Sequence, residues 1–316
     1  MKEEEVIKLS NLCNFNADYA SPLKNEASGR EYWRVSNNKE SFVLCYLDPK
    51  KGDHTDFIKF SKSLKENDVN SVDILHHNIS LGVTLQKDLG DNDLLSILNQ
   101  DNKIDLLQGS LDLLIKIQNS KIDHIKHFSE HELSEQINLF KDIFCIEFLG
   151  LKIDISIDDL ISSTMQNLMI QPWVNCHFDF ERRNLILNQE QITVIDYQDM
   201  KIGPIGIDLS GILIDHYYNV DFKNIENMLN YFSKQSKLKY SNSELLDFLR
   251  WGSIQRNMRI LGTLANLYLR QRRDFRLKDL PMILTNLLSM IPDDFEGRDY
   301  ILDKIQPKLE KRISKI

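Results

Sequence analysis

The sequence predicts an α+β chain of two lobes, β-rich over residues 1–88 and mostly helical over residues 89–316. Three observations carry this. The chain has 316 residues, more than a single core usually serves, so two lobes are natural. Strand-like runs joined by polar turns crowd the first 88 residues. Beyond them, most apolar residues recur at three and four, the spacing of one helix face.

Taken in order, Pro22 to Tyr46 reads as a hairpin, with Glu31–Val35 and Ser41–Tyr46 flanking the polar turn SNNKE. A small-residue turn at Ala27, Ser28 and Gly29 precedes it. Thr55 to Asn67 is a helix with Phe57, Phe60 and Leu64 on its apolar face, and strands are expected at Val72–Leu75 and Val83–Leu85. LQKDLGDNDL leads into the second lobe. There, helices are expected at Lys103–Gln118, Leu133–Leu149 and Asp158–Ile170, the last stopped by Pro172. Ser129 to Glu132 fits a capping box, which starts a new helix at His131 and separates it from His124 and His127, so these three histidines do not read as a metal site. A second box at Ser241 to Glu244 opens a long helix to about Gln271.

Composition narrows the function. Acidic residues number 47 against 39 basic ones, a formal net charge of −8, which disfavours a general nucleic-acid binder. The five arginines between Arg259 and Arg276 read as a solvated helix end. No apolar run reaches the eighteen or so residues of a spanning helix, and Met1–Ser10, with three glutamates, does not read as a signal peptide. Four cysteines without paired spacing suit a reducing cytoplasm. The expectation is a cytoplasmic monomer with no nucleic-acid partner and no stable membrane insertion.

The stretch from Trp173 to Leu213 carries the chemistry. A polar turn over 188–191 separates Asn184–Leu187 from the strand-like 192–195, a hairpin that brings Asn184 and Asp196 together. Phosphoryl transfer needs a carboxylate to receive a hydroxyl proton, and oxygen ligands to hold magnesium against the phosphates. Asp179 suits the first role, Asn184 and Asp196 the second. His177 is expected to brace the loop. Asp199 is a candidate contact for the acceptor, or else a solvated turn carboxylate. Asp208 is expected to tie down the loop backbone and cap the helix after Gly206.

HFDFERRN fits the H-x-D-x-x-x-x-N catalytic loop that protein kinases share with small-molecule kinases, and IDYQD followed by GPIGIDL resembles the aminoglycoside phosphotransferase and choline kinase-like family. The resemblance implies a bilobal protein-kinase-like fold using ATP and Mg²⁺. It places Ser28, Gly29 and Arg30 over the nucleotide phosphates, and makes Gln86, Lys87, Asp88 and Leu89 the hinge whose backbone meets the adenine edge. One departure stands out. The third strand offers no lysine for the phosphates, and Glu66, near its end, is the only glutamate on the following helix, which leaves Arg30, Arg34 or Lys24 to supply the charge.

Taken with ASGREYWRV, DLGD and the KDLP segment, the chain is similar to the bacterial cell-wall-recycling sugar kinases over roughly residues 20–290. That similarity implies transfer of the γ-phosphate to the anomeric hydroxyl of N-acetylmuramate or N-acetylglucosamine, giving the α-1-phosphate. An antibiotic kinase usually presents an acidic site to a polycation, whereas the lactyl carboxylate of N-acetylmuramate would welcome a cation; Arg256 is the candidate for that contact. The competing readings are a phosphotransferase for an aminoglycoside, choline or a related alcohol, and a nucleotide-binding pseudokinase. A protein kinase is disfavoured by the lack of DFG and APE segments. The missing lysine supports the pseudokinase; the presence of Asp179, Asn184 and Asp196 together opposes it.

Overall fold

A computed structural model describes residues 1–23, 29–217, 220–236 and 239–315. Its elements begin with α1 (Glu3–Leu12), β1 (Tyr19–Pro22), β2 (Glu31–Ser36), β3 (Ser41–Tyr46), α2 (Thr55–Glu66), β4 (Ile74–Asn78) and β5 (Val83–Lys87). The helical part follows with α3 (Leu94–Ile97), α4 (Lys103–Asn119), α5 (Glu130–Leu139), a π-helix over Phe140–Phe148, and α6 (Ile155–Met169). Next come β6 (Trp173–Cys176), β7 (Leu185–Asn188), β8 (Gln191–Val194), β9 (Lys201–Pro204) and α7 (Ile205–Leu213). The chain continues through α8 (Phe222–Gln235), α9 (Asn242–Gln271), α10 (Leu280–Met290), α11 (Glu296–Tyr300) and α12 (Gln306–Ile313).

These elements form two compact units. The first gathers Met1–Asn99, Asn119–His124 and Arg182–Met200; the second gathers Gln100–Gln118, Ile125–Glu181 and Lys201–Ile316. The chain passes from the second to the first between Glu181 and Arg182, inside the HFDFERRN loop.

The first unit is built on an antiparallel sheet in the order β1-β2-β3-β5-β4. Alternation places Trp33 and Val35 on the inner face of β2, where they join Leu44, Val83 and Leu85 and are closed over by Val6 and Phe15. Burying side chains of this kind stabilises by about 1.5–3 kcal/mol each. Phe57, Phe60 and Leu64 of α2 are buried as its periodicity predicts, with the Phe57 ring 4.9 Å from that of Tyr197. β4 starts two residues later than expected because Val72 is engaged elsewhere: its N–H donates to the Val194 carbonyl and its carbonyl accepts from the Tyr197 hydroxyl. The predicted hairpin is β7–β8. Its two turn residues, Gln189 and Glu190, have φ of 48° and 64°, the left-handed pair of a type I′ turn.

The second unit is organised on α9, whose 30 residues pack against α5, the π-helix, α6, α7, α8 and α10. Its capping box is in place, with Ser241 accepting from the Glu244 N–H and Glu244 accepting from the Ser241 N–H. The predicted helix Leu133–Leu149 is α5 continued by the π-helix. Phe140, Phe144 and Phe148 recur every fourth residue and stack at 5.5 and 5.9 Å, and the wider turn keeps them in line. α7 and α9 cross glycine on glycine: a Cβ on Gly252 would lie 2.1 Å from the Gly206 carbonyl carbon. Gly252→Ala is therefore expected to cost about 1–3 kcal/mol or more, read as a fall in the urea midpoint with an unchanged slope. Among the described residues no helix is long and apolar enough to cross a membrane.

Candidate active site

Asp179 lies in the loop after β6, in the second unit. Its neighbour Phe178 has φ of 69°, a left-handed conformation that a bulky side chain holds only when its surroundings enforce it. The enforcing group is Asp208, fully buried in α7: Oδ2 accepts from the His177 N–H at 2.6 Å and Oδ1 from the Phe178 N–H at 2.8 Å. Burial pushes the Asp208 carboxyl up, against the opposing pull of His177 and those two N–H donors. Asp208 thus ties the loop. It is not the helix cap, since Pro204 holds that position and makes no side-chain cap bond. His177 is also buried, and its Nδ1 is 3.3 Å from the Asp179 N–H, so the ring braces the next turn of backbone.

The Asp179 side chain is 52% exposed, and Arg259 of α9 reaches it. One nitrogen, Nη2, donates both to Asp179 Oδ1 at 2.8 Å and to the Phe178 carbonyl at 3.1 Å. Protein on the sheltered side of the carboxyl desolvates it and pushes its pKa up, but the charge and hydrogen bond of Arg259, helped by Arg256 and His177, win and hold it at about 2. Arg256, one turn earlier on α9, is 1% exposed and pairs with Glu181 at 2.6 Å. Its Nε and Nη1 have no hydrogen-bond partner among the described residues. Arg256, the candidate cation for the acceptor, is thus paired with Glu181, and Arg259 is the arginine that touches Asp179. Its position three residues after Arg256 puts the two on one helix face.

Asn184 and Asp196 lie in the first unit, flanking β7–β8, where the Ile195 N–H donates to the Asn184 carbonyl at 3.0 Å. Asp196 has φ of 61°. Its Oδ1 accepts from the Tyr32 hydroxyl at 3.2 Å and from Gln198 Nε2 at 2.7 Å, two partners that orient the carboxylate. Sequence reasoning had no means of finding Tyr32, 164 positions away. Asp199 is 73% exposed, with Arg30 Nη1 at 3.9 Å.

Of the cations named to replace the missing lysine, Lys24 lies outside the described residues. Arg34 is committed: it donates to both oxygens of Asp88 at 2.8 and 3.1 Å and to both of Asp91 at 2.9 and 3.1 Å. Arg30 is different. Its side chain is 12% exposed and its buried Nε has no hydrogen-bond partner among the described residues. Ser28 also lies outside the described residues, while Gly29 has φ of 74°. In the hinge segment, Gln86 is buried in β5 and donates to Thr84 Oγ1, the Lys87 N–H donates to the Asp73 carbonyl, and the Leu89 carbonyl accepts from Asn188. Burial would raise Asp88, but Arg34, Ser41 and the Gly90 N–H hold it low, so this carboxylate is committed to shaping the turn.

The residues present fit a nucleotide with Mg²⁺. Asp196 and Asn184 offer hard oxygen donors. The orphaned Arg30 donor calls for an acceptor such as a phosphate oxygen.

A family model described as "Phosphotransferase enzyme family" matches residues 20–223. Two curated relatives are each named N-acetylmuramate/N-acetylglucosamine kinase. The one from Neisseria meningitidis serogroup B is 27% identical over 277 residues, 83% of this chain and 82% of that protein. The one from Pseudomonas aeruginosa is 27% identical over 285 residues, 85% of this chain and 83% of that protein. Among solved structures, a spectinomycin phosphotransferase in complex with ADP and spectinomycin superposes with a TM-score of 0.66 at 14% identity, covering 97% of this chain and 99% of that one.

Proposed function

The chain belongs to the phosphotransferase enzyme family, acting on a small-molecule hydroxyl with ATP, and from that premise we propose that its acceptor is the anomeric hydroxyl of N-acetylmuramate or N-acetylglucosamine. The observation that carries the acceptor class is the guanidinium on the candidate base: Arg259 lies 2.8 Å from Asp179, with Arg256 one turn away. These guanidiniums offset the charges of Asp179 and Glu181, so the four groups offer no excess negative charge to attract a polycationic antibiotic and tolerate a neutral or anionic sugar. The curated relatives that match over most of both chains are named for that pair of sugars.

In this reading Asp179 receives the hydrogen bond of the acceptor hydroxyl and aims its oxygen. Its role is positioning, because phosphoryl transfer needs little proton abstraction early. Asn184 and Asp196 hold Mg²⁺, and Arg30 takes the phosphate charge that a lysine supplies elsewhere. The ion, when bound, neutralises charge on the transferring phosphate. Residues 1–88 form the nucleotide lobe and 89–316 the catalytic and acceptor lobe of a cytoplasmic monomer. Gln86 to Leu89 meet adenine through backbone groups, and Asp199 lies on the acceptor side.

The test is ³¹P NMR of the product formed with ATP and Mg²⁺ from N-acetylmuramate, N-acetylglucosamine, kanamycin or choline. A phosphorus resonance coupled to the anomeric proton of either N-acetyl sugar, absent when EDTA is added, is expected. Transfer to kanamycin or choline alone would reject the sugar assignment.

A further inference from the structure

We propose that Arg259 is a positioning residue for the transfer step, clamping Asp179 into the one orientation that can receive the acceptor hydroxyl. The inference rests on the role just given to Asp179. Its basis is the bridging contact of one Arg259 nitrogen, Nη2, with the Asp179 carboxylate and the Phe178 backbone carbonyl.

An aspartate exposed to this extent would ordinarily sample several rotamers. Here the guanidinium couples the side-chain torsions of Asp179 to the backbone one residue before it. That backbone is already fixed by Asp208 in its left-handed turn. The clamp has its own anchor. Arg256 is locked to Glu181 at 2.6 Å, and the Glu181 N–H donates to the Asp179 carbonyl at 2.8 Å. Residues 178–181 are therefore pinned to α9 at two points one turn apart, and the rigid helix carries their spacing. A lysine ammonium at 259 could also donate to two acceptors, but it lacks the guanidinium plane that fixes the direction of Nη2.

The titratable groups that bear on Asp179 include Arg259 and Arg256 on α9, His177 in its own loop and Asp208 on α7, while Glu181 acts on Arg259. Arg259 contributes the largest stabilisation of the ionised form, opposing desolvation. Such a carboxylate is a poor proton acceptor, so its contribution has to be geometric. Losing the clamp should then lower kcat and leave nucleotide binding alone.

The experiment compares wild type with Arg259→Gln and Arg259→Lys. Arg259→Gln is expected to lower kcat by about 10–100-fold, the scale of a small misplacement of a reacting group, with KM for ATP unchanged. Arg259→Lys should recover part of that loss. In parallel, the ¹³C shift of the Asp179 carboxyl is followed in protein labelled at aspartate. It should stay flat in wild type as pH falls from neutrality towards 4, and bend in Arg259→Gln. An unchanged kcat, or a rise in acceptor KM with kcat intact, would overturn the proposal; the latter would make Arg259 an acceptor-binding cation. If wild type phosphorylates no acceptor, the functional reading fails first. The ¹³C titration then decides the clamp without any turnover, and identical curves for the two proteins would sink it.

Discussion

Asp179→Asn is expected to lower kcat by about 10²–10⁴, the range for a lost acid–base or hydroxyl-orienting group, while the protein stays folded. The asparagine is isosteric, and its amide oxygen can still accept from Arg259 Nη2, whose present distance to Oδ1 is 2.8 Å. What changes is the other position, which becomes an NH₂ donor. An acceptor hydroxyl that donated to a carboxylate oxygen now meets a donor and turns its own oxygen away from the phosphate. KM for ATP should hold, because the proposed nucleotide contacts involve Arg30, Asn184 and Asp196. Stability should change little, since a half-exposed ion pair contributes about 0–1 kcal/mol. The checks are single-turnover transfer to the acceptor and urea unfolding on the same sample. A kcat within a few-fold of wild type would remove Asp179 from the chemistry.

Much of this loop was legible because its information is local. The HFDFERRN spacing, the turn at 188–191 and the two capping boxes depend on residues within a few positions of each other, and periodicity alone located α2, α4 and α9. The absent lysine was equally plain, since β3 is SFVLCY. Other parts were out of reach for a common reason. α1 is EEEVIKLSNL with only Val6 and Ser10 buried, so the sheet it covers makes it a recognisable element more than its own pattern does. The Tyr32 bond to Asp196 and the Arg259 bond to Asp179 span 164 and 80 positions. Arg259 also sat in an arginine-rich stretch that reads as a solvated helix end. Only folding shows that the first of those arginines faces inward.

Asp208→Ala should produce the largest loss of stability, about 2–5 kcal/mol, from a total that for a protein domain is commonly about 5–15 kcal/mol. The carboxylate is fully buried and accepts two backbone N–H groups, from His177 and Phe178. Alanine leaves both donors buried without an acceptor, and each costs about 1–3 kcal/mol. Relief from burying a charge offsets part of this, consistent with the upward pressure of burial on the Asp208 carboxyl. Asp208→Asn distinguishes the terms: its amide oxygen serves one N–H while its NH₂ faces the other, so about half of the alanine loss is expected. In the alanine variant Phe178 loses the N–H bond that enforces its φ of 69° and keeps the Arg259 contact to its carbonyl, and relaxation of that turn would carry Asp179 out of place. Activity should therefore fall in the same order as stability, even below the unfolding transition. Urea midpoints give the first ranking and kcat at low denaturant the second. Equal stabilities for wild type, asparagine and alanine would mean that the loop is held by something other than Asp208.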